Sequence, residues 1–132
     1  MTNDRINLFV YGTLKEGHGA HHYMKDSPLT LKNVKVRGKL YKSSFFPCLV
    51  LTPEEENYVM GEVYSVHKDN LPAIDRYEGY PSLFDRKKIE KITLEDGSTL
   101  DADNTWVYVI NHRILAGVAT EKDFQQITSG IW

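Results

Sequence analysis

The sequence predicts an α+β fold, made mostly of strands with a few short helices. Three observations carry that expectation. Six segments, 6–11, 29–41, 45–50, 58–66, 84–94 and 105–110, have the apolar runs or the alternation of strands. Only 18–25, 69–78 and 120–127 read as helical, and each is short. Glycine-, proline- and aspartate-containing turns separate these segments. With 132 residues the chain fits one domain spanning 1–132, long enough to bury a core without disulfides or metals.

Composition narrows the function classes. Hydrophobic residues make up 41% and charged residues 26%, ordinary for a soluble globular protein. A net charge of -2 argues against sequence-independent binding of nucleic acid, which asks for a basic surface. The single cysteine, Cys48, rules out an internal disulfide and any metal site built on paired cysteines. It fits a reducing compartment. No run approaches the roughly 18 apolar residues of a membrane span. The polar start Met1–Arg5 leads directly into a strand and lacks the pattern of a signal peptide. The expected location is cytoplasmic, with no membrane or nucleic-acid partner.

Ile6 to Tyr11 is apolar on both faces, as a central strand is. It ends in Tyr11-Gly12-Thr13-Leu14, with Gly17 following. A strand that stops in such a loop presents backbone N–H groups outside any ladder, which suits an anion or a developing oxyanion. An ordinary strand-to-loop turn has the same residues, so this stretch alone leaves both readings open. His18 to Lys25 reads as a short helix ended by Asp26, Ser27 and Pro28. His18 and His22 have metal-type i, i+4 spacing. No Glu or third ligand accompanies them, so the solvated-turn reading is preferred and no metal is expected.

Leu29 to Tyr41 alternates imperfectly with Lys and Arg, as a strand with one solvated face does. Gly38 inside it signals a bulge or the close approach of another backbone. The block Phe45-Phe46-Pro47-Cys48-Leu49-Val50 is interrupted by proline and reads as an edge strand or pocket wall. Cys48 within it reads as a small buried hydrophobe rather than a nucleophile. Thr52 to Asn57 is a loop, and Tyr58 to Val66 alternates as a strand. A short helix then starts around His67-Lys68-Asp69 with Asp69 as N-cap, carries Leu71, Ile74 and Tyr77 or Glu78 on related faces, and stops at Gly79. Phe84 to Leu94 reads as a partly exposed strand, Glu95-Asp96-Gly97-Ser98 as a hairpin turn, and Thr105 to Ile110 as the returning strand. Thr120 to Ile127 reads as a helix capped by Thr120 with Asp123 three residues on.

The richest chemistry lies at Asp75-Arg76-Tyr77-Glu78-Gly79-Tyr80-Pro81. A carboxylate at the end of an apolar-faced helix sits near the negative end of the helix dipole. Its pKa rises if it is also desolvated. A general base or proton shuttle working near neutral pH needs such a pKa. An inert, solvated Glu at a helix C-terminus is the competing reading, and the residues alone do not choose between them.

Taken together, Tyr11-Gly12-Thr13-Leu14 with Gly17, the helix end Ile74-Asp75-Arg76-Tyr77-Glu78-Gly79-Tyr80-Pro81, and Phe84-Asp85-Arg86 resemble the γ-glutamylcyclotransferase-like family, in particular its γ-glutamylamine cyclotransferase-like branch. The resemblance runs from Leu8 to about Ile110, and the closing Ser129-Gly130-Ile131-Trp132 is similar to tails in that branch. It implies a small mixed β-barrel with a few short helices. The glycine loop and the glutamate segment are expected to meet at one cavity.

The implied reaction is intramolecular. The substrate's α-amine attacks its own γ-carbonyl, and 5-oxoproline forms with release of an amine or amino acid. By resemblance Glu78 is the catalytic acid/base, and Tyr11, Gly12, Thr13 and Leu14 hold the γ-glutamyl group and stabilise the oxyanion. Phe84 stands in the substrate-binding region where the family commonly carries Tyr. The expected substrates are γ-glutamylamines or short γ-glutamyl peptides, with no cofactor, in a monomer or weak homodimer. Phe84 is the feature behind a rival reading, a non-catalytic small-molecule-binding or regulatory domain on the same fold. A further reading keeps the chemistry but removes a γ-glutamyl protecting group from a biosynthetic intermediate.

Overall fold

In a computed structural model, the described residues are 4–11, 21–24, 27–42, 47–52, 54, 57–80, 84–110, 125–127 and 129–131. Strands dominate: β1 (Arg5–Val10), β2 (Leu29–Lys42), β3 (Pro47–Leu51), β4 (Tyr58–His67), β5 (Phe84–Thr93), β6 (Thr99–Ile110) and β7 (Gln125–Gln126). The α-helix α1 (Leu71–Glu78) lies between β4 and β5, with short 3-10 turns at His21–Met24 and Lys68–Asn70.

Pairing runs β3-β2-β4-β1-β6-β5, and β2 pairs again with β5 at Lys35 and Thr93. The circuit β2–β4–β1–β6–β5 therefore closes into a five-stranded barrel, with β3 and β7 attached to β2. β1 is central as expected, antiparallel to β4 and parallel to β6. The parallel pair matters for function. It sends the C-terminal ends of β1 and β6 to the same end of the barrel, where antiparallel β5 begins.

The two-faced apolarity of β1 follows from two cores. Phe9 joins Val34, Val36, Val59, Val63, Ile89, Val107 and Val109 in a cluster drawn from all five barrel strands, which fills the barrel. Ile6, Leu8 and Val10 point the other way, with Tyr64, Val66, Tyr108 and Ile110, and are covered by Leu71 and Ile74 of α1. A register shift between Ile89 and Lys91 explains how Ile89 and Ile92, three residues apart, both face the barrel interior.

Two glycines permit close backbone contacts. A Cβ on Gly61 would lie 2.3 Å from the Val10 carbonyl oxygen and 2.6 Å from the Phe9 ring. A Cβ on Gly38 would lie 2.8 Å from the Val50 carbonyl oxygen, so the glycine expected to mark a close approach marks the β2–β3 crossing. The proline-containing block becomes β3, which among the described residues is an edge strand paired to β2.

Three expectations need correction. Asp69 is not the cap: the ring Nδ1 of His67 accepts from Asp69 N at 3.1 Å and opens the 3-10 turn. α1 itself then starts at Leu71 with Pro72 in its first turn, where a missing N–H costs nothing. Gln125 and Gln126 are not helical but pair with Lys42 and Tyr41, and Ile127 N donates to Leu40 O at 2.7 Å; the rest of the expected helix, 120–124, lies outside the described residues. The last strand is longer than its apolar half, because Thr99–Asp101 pairs with Lys91–Thr93 and, past a register shift, Ile89 lies opposite Thr105. No helix among the described residues is long and apolar enough to cross a membrane.

Candidate active site

α1 is short, and its sequence Leu-Pro-Ala-Ile-Asp-Arg-Tyr-Glu puts Leu71, Ile74 and Glu78 on one stripe at helical spacing. Leu71 and Ile74 are buried, whereas Tyr77, next to Glu78, is 41% exposed. The inward stripe thus reads apolar, apolar, carboxylate. Of the two candidates for that third place, the helix turns Glu78 inward and Tyr77 outward.

The helix end is fixed by backbone geometry. Tyr80 N donates to Asp75 O at 2.9 Å and Gly79 N to Arg76 O at 3.2 Å, a Schellman closure with Gly79 left-handed at φ 68°. Glycine adopts that conformation without the clash a Cβ brings. The chain leaves the helix immediately after Glu78, so the carboxylate sits at the junction rather than along a helix flank.

Burial raises the Glu78 carboxyl from its ordinary 4.5 to about 7. Among the described residues no side chain donates a hydrogen bond to it, and burial is the cause of the rise. Its charge is felt by three groups from three strands. Tyr11, just past β1, is held protonated first by burial and then by Glu78. Cys48 of β3 is pushed up to about 12, again by burial and then by Glu78. Tyr108 of β6 is raised well above the phenol range by burial and by its bond to Asp75, with Glu78 a smaller contributor. Cys48 is buried and stays a thiol at neutral pH, which fits a packing role and not a nucleophile.

The Tyr11 hydroxyl is already engaged on both sides. It donates to Tyr108 O at 2.8 Å and accepts from Leu49 N at 3.2 Å. Tyr11 therefore ties β1, β3 and β6 together at the mouth of the expected loop. Gly12, Thr13 and Leu14 lie outside the described residues, so Tyr11 is the loop residue whose position is established. Phe84 is 3% exposed, pairs with Ile110, and packs in the same outer cluster as Tyr108. It is a wall of the core on the Glu78 side. His22 is exposed, and His18 lies outside the described residues. Among the described residues no group of three or more His, Cys, Asp or Glu is placed to hold a metal.

Sequence reasoning passed over a second set of groups. Asp75, one turn before Glu78, accepts a hydrogen bond from the Tyr108 hydroxyl at Oδ1 and from Arg86 Nη2 at Oδ2, the latter at 3.2 Å. Arg86 Nε also lies 2.9 Å from Asp75 Oδ1; this approach is an ion pair without hydrogen-bond alignment, so Nη2 carries the bond. Asp75 and Arg86 both stood in recognisable motifs, but nothing in those motifs paired them. The pairing follows from the β5–β6 register that sets Arg86 opposite Tyr108.

Comparison with known proteins agrees with this architecture. The family model for γ-glutamyl cyclotransferase, AIG2-like proteins matches residues 8–132. The γ-L-glutamyl-butirosin B γ-glutamyl cyclotransferase of Niallia circulans is 39% identical over 112 residues, 80% of this chain and 67% of that protein. The γ-glutamylaminecyclotransferase of Rattus norvegicus is 31% identical over 112 residues, 78% of this chain and 75% of that one. The solved structure of an AIG2-like protein from Mus musculus shares the fold, with a TM-score of 0.65 at 24% identity over 81% of this chain and 78% of that one. Family model, relatives and barrel agree: the chain belongs to the γ-glutamyl cyclotransferase, AIG2-like family and is an enzyme of the cyclotransferase type.

Proposed function

We propose that this protein converts a γ-glutamyl amine or short γ-glutamyl peptide into 5-oxoproline and the free amine, with Glu78 as general acid/base. The observation that carries the reading is the desolvated Glu78 carboxyl, raised to about 7 and close enough to Tyr11 for its charge to be felt there.

The chemistry makes that value useful. The substrate's α-ammonium must lose a proton before its nitrogen can attack. Such an ammonium is a weaker acid than a carboxyl. Raising the carboxyl from 4.5 to about 7 makes the transfer easier by about 3 kcal/mol. The neutral amine then attacks the γ-carbonyl carbon, and negative charge gathers on the carbonyl oxygen. Backbone N–H groups of Gly12–Leu14 are proposed to receive that oxyanion, each worth on the order of 3–4 kcal/mol where such donors are preorganised. As the tetrahedral intermediate collapses, the bond to the leaving nitrogen breaks, Glu78 returns its proton to that nitrogen, and the second proton of the attacking nitrogen is lost to the departing amine, which leaves as its ammonium. Folding the γ-glutamyl chain onto itself adds the advantage of an intramolecular reaction, roughly 7–11 kcal/mol in favourable cases.

The test is 5-oxoproline release from a panel of γ-glutamylamines and γ-glutamyl peptides by the parent protein and Glu78→Gln. The variant keeps size and polarity but cannot carry the proton, and is expected to lose about 10²–10⁴-fold in kcat. Turnover by the variant at the parent's rate removes Glu78 from the mechanism. The Niallia relative, named for γ-L-glutamyl-butirosin B, favours a second reading, in which the leaving amine belongs to a compound of that kind. γ-L-Glutamyl-butirosin B in the same panel separates the two.

A further inference from the structure

Arg86 reaches the chain on both sides of Glu78. Three residues before it, Asp75 takes the guanidinium through Nη2 at 3.2 Å, with Nε 2.9 Å from the other oxygen. Two residues after it, beyond the Gly79 turn, the Tyr80 ring lies under the same guanidinium, 4.7 Å from ring centroid to Cζ. The pair is shielded, with side-chain exposures of 21% for Arg86 and 19% for Asp75. Tyr108 adds a third support by donating its hydroxyl to Asp75. β5 and β6 thus hold both flanks of the residue that ends α1.

We propose that Arg86 is a positioning residue for Glu78: it anchors the helix end through Asp75 and Tyr80, and its charge balances that of Asp75 one helical turn from the carboxylate. The inference rests on the reading of Glu78 as the acid/base. Among the described residues, Tyr11 after β1, Cys48 on β3 and Tyr108 on β6 feel the charge of Glu78, and Asp75 of the same helix pairs with Arg86 of β5. On the same outer face of β4, Glu62 accepts from the Tyr64 hydroxyl at 3.0 Å. The two tyrosines beside Glu78 and the thiol stay uncharged through neutral pH. Asp75 and Arg86 therefore offset each other's charge one helical turn from Glu78, and removing either leaves the other without its counter-ion.

Residues three apart on a helix are neighbours on its surface, and a like charge beside a carboxyl raises its pKa. Arg86→Gln leaves Asp75 negative, so the acid limb of kcat/KM is expected to move up by about one pH unit, with a fall in kcat. Asp75→Asn leaves Arg86 positive, and the limb is expected to move down. The double variant restores neutrality, and its limb is expected to return to the parent position while kcat stays low. Arg86→Lys keeps the charge but loses the planar fork and the stack, so it is expected to lower kcat with the limb unmoved.

A second readout does not use catalysis. The stability difference between each background and its Glu78→Gln partner, followed against pH, reports Glu78 titration in the folded protein. In the Arg86→Gln background its midpoint is expected to rise in step with the activity limb. If both midpoints stay at the parent value in Arg86→Gln and Asp75→Asn, the proposal is overturned. If the stability midpoints move while Glu78→Gln remains active, the Arg86–Glu78 coupling stands and the assignment of Glu78 as acid/base fails instead. Should Arg86→Gln not fold, Asp75→Asn and the double variant decide the matter: limbs in the same place for both overturn the proposal.

Discussion

The ionised form of Glu78 costs the fold stability, and the size of that cost can be worked out. The carboxyl titrates at about 7 in the folded protein and near its ordinary 4.5 when unfolded. Below about pH 4.5 both states hold the proton and nothing is lost. Between 4.5 and 7 the folded state holds more protons than the unfolded one, so stability falls as pH rises. Above 7 the loss is complete. The gap between the two values corresponds to about 3 kcal/mol, and partial exposure of the side chain trims it to about 2–3 kcal/mol. Glu78→Gln has no charge to desolvate and escapes the cost. Urea unfolding at pH 8 is expected to show the variant more stable by about 2–3 kcal/mol, and at pH 4 nearly equal to the parent. For a chain of this length that is a rise in Tm of about 10 °C at pH 8. A variant no more stable than the parent at pH 8, or a difference independent of pH, would refute the claim that Glu78 is desolvated without a compensating partner.

Two further substitutions probe the frame around the site. Tyr11→Phe removes the hydroxyl that joins Leu49 N and Tyr108 O in a buried place. A lower urea midpoint at unchanged m, worth about 2 kcal/mol, is expected, and a change under 0.5 kcal/mol would make the bridge dispensable. Gly61→Ala drives a Cβ against the Val10 carbonyl at 2.3 Å, where backbone must move rather than a flexible side chain. Destabilisation of about 3 kcal/mol is expected from thermal melts; a neutral Ala would mean that β1 and β4 slide apart freely.

The legible parts of the fold were those where one physical rule acts alone. β1 showed its central place through apolarity on both faces, because each face meets a core. Gly97 announced the β5–β6 hairpin, and Gly79 announced the helix end; both are left-handed. The unreadable parts were decided by distant partners. Thr99–Asn104 carries no strand pattern, since its side chains are mostly exposed and distant partners order it: β5 pairs with Thr99–Asp101, and β1 bonds to Asp103 and Asn104. Gln125 and Gln126 adopt a strand because β2 offers an open edge there, which their polarity does not announce. The place of Glu78 at the helix end before glycine was legible, whereas its role comes from the family resemblance and is a proposal. Asp75, Arg86 and Tyr108 were not legible as a unit. Three elements converge there, and the shift at Ile89/Lys91 lies in the same hairpin.

The state of Glu78 also weighs between an enzyme and a domain that only binds. A site that merely holds an α-ammonium is best served by a carboxylate ionised at every working pH, hydrogen-bonded and partly hydrated, with a low pKa. The arrangement here does the opposite. The helix turns the carboxylate into an apolar stripe between Leu71, Ile74 and the outer faces of β1 and β6, at a cost of about 2–3 kcal/mol when charged. Its neighbours Tyr11, Cys48 and Tyr108 are neutral, so none of them repays that cost. Near pH 7 about half of such carboxyls carry a proton, which weakens pure ion-pairing but suits a group that must accept a proton and return it in one turnover. Asp75, four-fifths buried like its partner Arg86, shows that the same helix can keep a carboxylate paired. Among the described residues the unpaired carboxyl is specific to the position of Glu78, which supports the proposed proton-transfer role.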